Sequence, residues 1–156
     1  MNKLMFKNRS FYRFNFLEEF TKILEEAKLE FLSKKDLHVD VLFVTRWKMK
    51  KLNNLYRQKN YTTDILSFPF NENNELDFLE EKELGQIIIS PWKIKKQAKK
   101  FNHSLKREFC YIFAHGIAHL FGFDHITEEE AKIMNSHVDR IMEKLKINRI
   151  NNKSEE

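Results

Sequence analysis

The sequence predicts an α/β fold: a single domain (α+β type) in which a small mixed β-sheet is flanked by helices. Three observations carry that expectation. Short runs rich in β-branched residues alternate with longer segments whose apolar residues recur every three or four positions, the pattern of strands interleaved with amphipathic helices. With 156 residues and 42% hydrophobic content, the chain is long enough to bury roughly 68–70% of the surface its unfolded form would expose. No internal repeat and no Pro-, Gly- or Ser-rich linker divides it. One domain over residues 1–147 is therefore expected, with the polar stretch NRINNKSEE, residues 148–156, as a disordered tail.

The elements follow in order. Phe16, Leu17, Phe20, Ile23, Leu24, Ala27, Phe31 and Leu32 mark a first amphipathic helix. LHVDVLFVT (37–45) alternates at its start and then becomes continuously apolar, as a strand does when it turns buried on both faces. RWKMKKLNNLYRQ (46–58) reads as a short helix, and DILSFPF (64–70) and LGQIIIS (84–90) as two strands separated by a polar, acidic loop around NENNE. Pro69 belongs at an edge or a strand end, because it cannot donate to a ladder. Ser90-Pro91 provides an N-cap and a first-turn proline for the next helix, which Asn102 and His103 break. From Ser104, the apolar stripe of Leu105, Phe109, Ile112, Phe113, Ile117, Leu120 and Phe121 runs to Gly122, a helix terminator. Thr127 and Glu130 form a capping box for a last helix that buries Met134, Val138, Ile141, Met142 and Leu145.

Composition narrows the setting. The only cysteine, Cys110, has no intrachain disulfide partner, the N-terminus lacks the apolar run of a signal peptide, and no uncharged stretch approaches the ~18–20 residues that span a bilayer. A cytoplasmic protein with no membrane association is expected. The net charge of +5 and pI near 9.2 favour a polyanionic partner. Three glycines leave little room for a phosphate-cradling loop, and no nucleotide-binding fingerprint is present.

The stretch HGIAHLFGFDH (115–125) concentrates three of the six histidines. His115 and His119 are four apart on a helix, so both imidazoles project from one face, with attachment points about 6 Å apart along the axis. Gly122 permits a sharp turn that swings His125 back as a third nitrogen ligand. Three histidines with an open fourth position are the layout of a catalytic zinc site, where the ion lowers the pKa of bound water toward ~7. A lone i, i+4 pair is more often packing, but the third histidine and the glycine would then be independent coincidences. His38, His103 and His137 lack such spacing and are expected at the surface or at caps.

Metzincin proteases share this spacing, and they require a glutamate after the first histidine as proton acceptor. Gly116 occupies that position. Asp124 either orients an imidazole or takes a proton from the metal water, or else is a turn residue at a helix end; both readings stand on the residues alone.

HGIAHLFGFDH resembles the H-G-x-x-H-L-x-G-[FY]-D-H signature of the YbeY family of metal-dependent endoribonucleases, the bacterial rRNA maturation factors. LNNLYRQKNYTTDILSFPF (52–70) is similar to that family's N-x-x-Y-R segment followed by T-D-V-L-S-F-P, and LGQIIIS stands where the family has a glycine-led strand. The resemblance covers roughly residues 37–145. Gln86 departs from it, replacing the family's usual aspartate in L-G-D-I, which keeps hydrogen bonding but removes charge.

The resemblance implies the histidine site at one end of a cleft and single-stranded RNA cleavage. It also implies a part in ribosomal RNA processing, including maturation of the small-subunit rRNA 3′ end, and in ribosome quality control. Small-subunit proteins or a ribosome-assembly GTPase would be partners, and DNA is not expected. The attack on phosphorus would come from metal-activated water or from a ribose 2′-hydroxyl. Arg57, matching the arginine of Y-R, becomes the phosphate-gripping candidate, although on spacing alone it would be an ordinary solvated arginine. Arg46, Lys48, Lys50 and Lys51, then Lys93, Lys95, Lys96, Lys99 and Lys100, can track an RNA backbone. Tyr56, Tyr61, Phe68 and Trp92 can stack on bases, but read more naturally as core or rim aromatics. Two other functions fit the residues: a metzincin-like metalloprotease, and a noncatalytic RNA-binding assembly factor with structural zinc.

Overall fold

The computed structural model describes residues 1–70 and 81–147; the acidic loop around 71–75 and the tail at 148–156 lie outside the described residues. The chain runs through β1 (Lys3–Asn8), α1 (Leu17–Glu30), β2 (Asp36–Phe43), α2 (Arg46–Arg57), β3 (Ile65–Pro69), β4 (Glu81–Ile89), α3 (Pro91–Phe101), α4 (Leu105–Leu120) and α5 (Glu128–Lys144). The four strands form one mixed sheet in the order β1-β2-β4-β3, parallel except for β3 against β4. Pro69 ends the edge strand β3, where its missing N–H disturbs no ladder.

Apolar periodicity explains which face each element buries. Leu37, Val39, Val41 and Phe43 alternate along β2 into the main core, with Ile87 and Ile89 of β4 on the same side. α4 lies against this face and is buried along most of its length, from Phe109 and Cys110 to Ile117 and Ala118. α1 packs beside it, with Phe20 stacked on Phe113 at 4.1 Å between ring centroids, and α5 adds Met134, Val138 and Ile141. Burial pushes the Cys110 thiol up to about 12, so this cysteine packs as a small apolar residue. On the other face, α2 lays Met49 over Val44, Leu66 and Ile88 in a smaller cluster.

Several details differ from the sequence reading. β1 was not expected; it pairs in parallel with β2 and points Leu4 and Phe6 inward between exposed Lys3, Met5 and Lys7. α1 stops at Glu30, and Leu32 adopts a left-handed φ of 54° and is 87% exposed, so it leaves the buried stripe. β2 is covered on its second face only where α2 begins, at Leu42 and Val44, while Asp40 stays exposed. Ser90 takes the N-cap position ahead of Pro91, but its hydroxyl makes no capping bond and is buried without a partner. Its backbone is instead pinned to the sheet, its N–H donating to the Asp64 carbonyl at 2.9 Å. Gly85 sits at a bulge opposite β2 with φ +143°, and a Cβ there would fall 2.3 Å from the Phe68 carbonyl oxygen.

Glu30, at the end of α1, ties that helix to α5 by accepting from His137 at 2.8 Å and from Arg140 Nε at 3.0 Å. Burial alone would raise its carboxyl pKa, but the bonds from His137 and Arg140 outweigh burial and hold it below the usual range. A carboxylate with a depressed folded-state pKa stabilises the fold above its unfolded pKa and loses that contribution as pH falls through the folded value. Glu30→Gln should therefore cost about 1–3 kcal/mol at neutral pH, the scale of hydrogen bonds to a charged group. The deficit should shrink below about pH 4, and urea titrations at pH 7 and pH 3 would measure it; an equal deficit at both would show that the charge is irrelevant.

Candidate metal centre

α4 carries His115 and His119 one turn apart on a face that is half-buried beside the core. The helix then ends in a Schellman motif: the Gly122 N–H donates to the His119 carbonyl at 2.9 Å and the Phe123 N–H to the Ala118 carbonyl at 3.1 Å. Gly122 has φ +99° with open space where a Cβ would stand, so glycine is needed there for backbone conformation and not for room. The reversal returns His125 to the other two. Ring centroids are 5.2 Å apart for His115–His119, 5.4 Å for His115–His125 and 5.1 Å for His119–His125, and one nitrogen from each ring lies within 4.8 Å of the others.

Electrostatics favour uncharged imidazoles here. Burial, followed by the proximity of His119 and His125, pushes the His115 pKa down to about 4. Burial also lowers that of His119, reinforced by His125 and by the charge of Arg57 and opposed by Asp124 and a hydrogen bond with the Phe123 backbone. Neutral imidazole is the metal-binding form. Nδ1 of His115 is moreover buried with no hydrogen-bond partner. A convergent three-nitrogen set with an unsatisfied buried ring nitrogen fits a metal ion.

Arg57 is the last residue of α2, and its charge reaches His119. Arg57 is exposed, and just after it Gln58 takes the left-handed cap at φ 56°, while buried Asn53 holds the following loop, its Nδ2 donating to the Tyr61 carbonyl at 2.8 Å. The chain thus folds back immediately after the arginine. Asp124 lies at the rim, its Oδ1 accepting from the His125 backbone N–H at 2.8 Å and standing 3.7 Å from His125 Nδ1. The carboxylate is beside that imidazole without being hydrogen-bonded to it.

The sequence does not single out Asn53, which anchors the loop after α2, or the line running up α4 to the histidines. The Arg107 guanidinium lies 4.4 Å from the Tyr111 ring centroid, and Tyr111 in turn flanks His115 at 6.4 Å. The i, i+4, i+8 spacing of Arg107, Tyr111 and His115 was the available signal. The remaining histidines are more than surface residues: each meets a carboxylate, His103 with Glu108, His137 with Glu30, and His38 with both Glu81 and Glu83 at 2.9 Å. His38, Glu81 and Glu83 form a second group of metal-capable atoms, in which each ring nitrogen of His38 lies 2.9 Å from a glutamate oxygen. Of the aromatics considered for stacking, Tyr56, Tyr61 and Trp92 are exposed, whereas Phe68 is half-buried against Tyr56 at 5.0 Å.

Comparison with known proteins decides the family. The family model described as Endoribonuclease YbeY matches residues 5–146. The chain belongs to the YbeY endoribonuclease family. Its relatives include proteins named Endoribonuclease YbeY from Mycoplasmopsis pulmonis, 46% identical over 96% of this chain and 100% of the relative, and from Mycoplasma mobile, 45% identical over 95% and 97%. A solution structure of TM1509 from Thermotoga maritima is similar at TM-score 0.59 and 26% identity, over 94% of this chain and 92% of that one. Within this YbeY fold Gln86 pairs in register with Asp40 and Phe68, on the sheet face of Ile88 under α2, opposite the face that meets α4.

The family assignment agrees with the packing at Gly116. A Cβ there would lie 2.8 Å from Ile65 Cδ1 and 3.1 Å from Ile87 Cδ1, so a side chain after the first histidine would be driven into the sheet. Gly116→Glu should lower stability by about 3 kcal/mol or more through overpacking and a buried carboxylate. Urea denaturation and a peptide-hydrolysis assay check this; a stable variant that gained peptidase activity would show that the position faces the three histidines.

Proposed function

We propose that this protein is a zinc-dependent, single-strand-specific endoribonuclease of the cytoplasm. Its RNA would be ribosomal, with maturation of the small-subunit rRNA 3′ end and ribosome quality control as its setting. The observation that carries the reading is the juxtaposition of a convergent three-histidine set with the charge of Arg57. His115, His119 and His125 would hold the ion, and among the described residues no fourth His, Cys, Asp or Glu joins them. A closed structural site would need such a ligand, which weighs against a purely noncatalytic assembly factor; the packing at Gly116 weighs against a protease. The ribosomal setting, and small-subunit proteins or an assembly GTPase as partners, rest on the family resemblance.

When bound, zinc supplies Lewis acidity at a phosphoryl oxygen. The protein's residues do the rest. Arg57 grips phosphate oxygens with two parallel N–H donors and stabilises the charge that builds on them. Asp124 is an exposed carboxylate beside His125, suited to accept the proton of the attacking hydroxyl or water. Tyr111, packed between Arg107 and His115, restrains the imidazole that is most deeply placed.

Purified protein should contain about one zinc and cleave single-stranded RNA, and chelation should abolish cleavage until metal is restored. Cleavage that survived complete metal removal would sink the reading. His119→Ala should lose most of the metal. Arg57→Ala should retain metal yet cleave about 10²–10³-fold more slowly, the scale of removing one preorganised donor, and Arg57→Lys should recover only part of that loss. A folded, zinc-loaded Arg57→Ala that cleaved at the parental rate would remove Arg57 from the chemistry.

A further inference from the structure

The charges of this chain are segregated. α1 carries Glu18, Glu19, Glu25, Glu26 and Glu30, while α2 and α3 together contain ten lysines and arginines and no acidic residue. On α3, Lys95–Lys99 and Lys96–Lys100 are like-charge i, i+4 pairs, which destabilise a helix by a few tenths of a kcal/mol each. No carboxylate among the described residues forms an ion pair with any of the ten. Where the two helices begin, the Arg46 guanidinium lies 4.7 Å from the Trp47 ring centroid and 4.8 Å from that of Trp92, with Lys96 Nζ 5.0 Å from Trp92. Both indoles remain open to solvent, at 64% and 37% exposure.

We infer that α2 and α3 form a second RNA contact, a platform on which Trp47, Arg46 and Trp92 stack unpaired bases while the surrounding lysines follow the phosphates. Exposed indoles within an uncompensated positive field match single-stranded nucleic acid, which offers both a polyanionic backbone and free π-faces. An acidic protein would use the charge and leave the indoles without stacking partners, and a duplex keeps its base faces covered. Arg46 and Arg57 occupy opposite ends of α2, 12 residues long, so the platform lies about 16 Å from the arginine at the histidine site. That separation corresponds to roughly five stacked nucleotides at 3.4 Å each. The inference rests on the endoribonuclease reading and extends it from the scissile phosphate to the flanking strand.

The two tryptophans of this chain are both on the platform, so intrinsic tryptophan fluorescence reports on it alone. Titrating the full-length protein with a single-stranded RNA 12-mer should quench that fluorescence, and inorganic polyphosphate should bind without comparable quenching. Trp47→Ala and Trp92→Ala should each raise the Kd for the 12-mer by about tenfold, within the range for losing one base–aromatic stack. KM for the 12-mer should rise with it, kcat should stay within about twofold, and cleavage of a trinucleotide should be unaffected. Phe at either position should restore part of the affinity, which a loss of stability would not reproduce. Absence of quenching by RNA, unchanged Kd in both variants, or stronger quenching by poly-glutamate than by RNA would overturn the platform. Failure of the two readings is separable. Chelator-sensitive cleavage with normal binding by the tryptophan variants rejects only the platform, whereas quenching by RNA without any cleavage rejects only the nuclease.

Discussion

The close approach of α4 to the sheet at Gly116 is the constraint on which the site depends. With no side chain at that position, the helix backbone settles onto Ile65 and Ile87, and the neighbouring turns bury Phe113, Ile117 and Leu120. His115 and His119 are then carried by a helix locked on three sides, between the sheet, α1 and α5. Rings held this way lose little conformational entropy on binding a ligand. Their half-burial depresses their basicity, so protons compete weakly for the nitrogens at neutral pH. The packing that positions these two imidazoles therefore also favours their uncharged form.

Long elements were legible because periodicity over several turns averages out local exceptions. α1, α4 and α5 each present four or more buried residues at helical spacing, and the capping bonds of Thr45, Ser104 and Thr127 stand where short polar side chains precede the helices. β1 escaped because Leu4 and Phe6 offer only one repeat of an alternating pattern among basic residues, and its stability comes from pairing with β2, a nonlocal contact. Leu32 misled because hydrophobicity does not reveal that the helix has already ended. Ser90 misled for a related reason: the sheet holds its backbone, and the side chain is left without a target.

At the site the same division holds. The three histidines and the turn at Gly122 were visible because helix geometry converts their spacing directly into proximity. Arg57 was visible only through a motif, since its nearness to His119 is a nonlocal relation between α2 and α4 that no spacing within one helix encodes. The support of His115 by Tyr111 and Arg107 lies on one helix face and could have been read from spacing. Ordinary packing gives the same i, i+4 pattern, so the spacing by itself does not single these residues out.

The placement of Arg57 is itself an argument about chemistry. As the last residue of α2 it is favourably sited at the negative end of a helix dipole, which accounts for a cation there but not for its reach toward His119. A positive charge near His119 opposes both protonation of that imidazole and the binding of a metal cation beside it, so on electrostatic grounds alone it weakens a metal site. A fold that needed only to retain a metal would gain by removing it. Under the proposed reading the arrangement would become favourable once an anion lay between Arg57 and a metal held by the three histidines, because each cation would then attract the group that screens it from the other. A phosphate oxygen would be such an anion, and the charge growing on it during displacement would strengthen both attractions in the transition state more than in the ground state, which is why the proposed endoribonuclease chemistry accounts for the arginine.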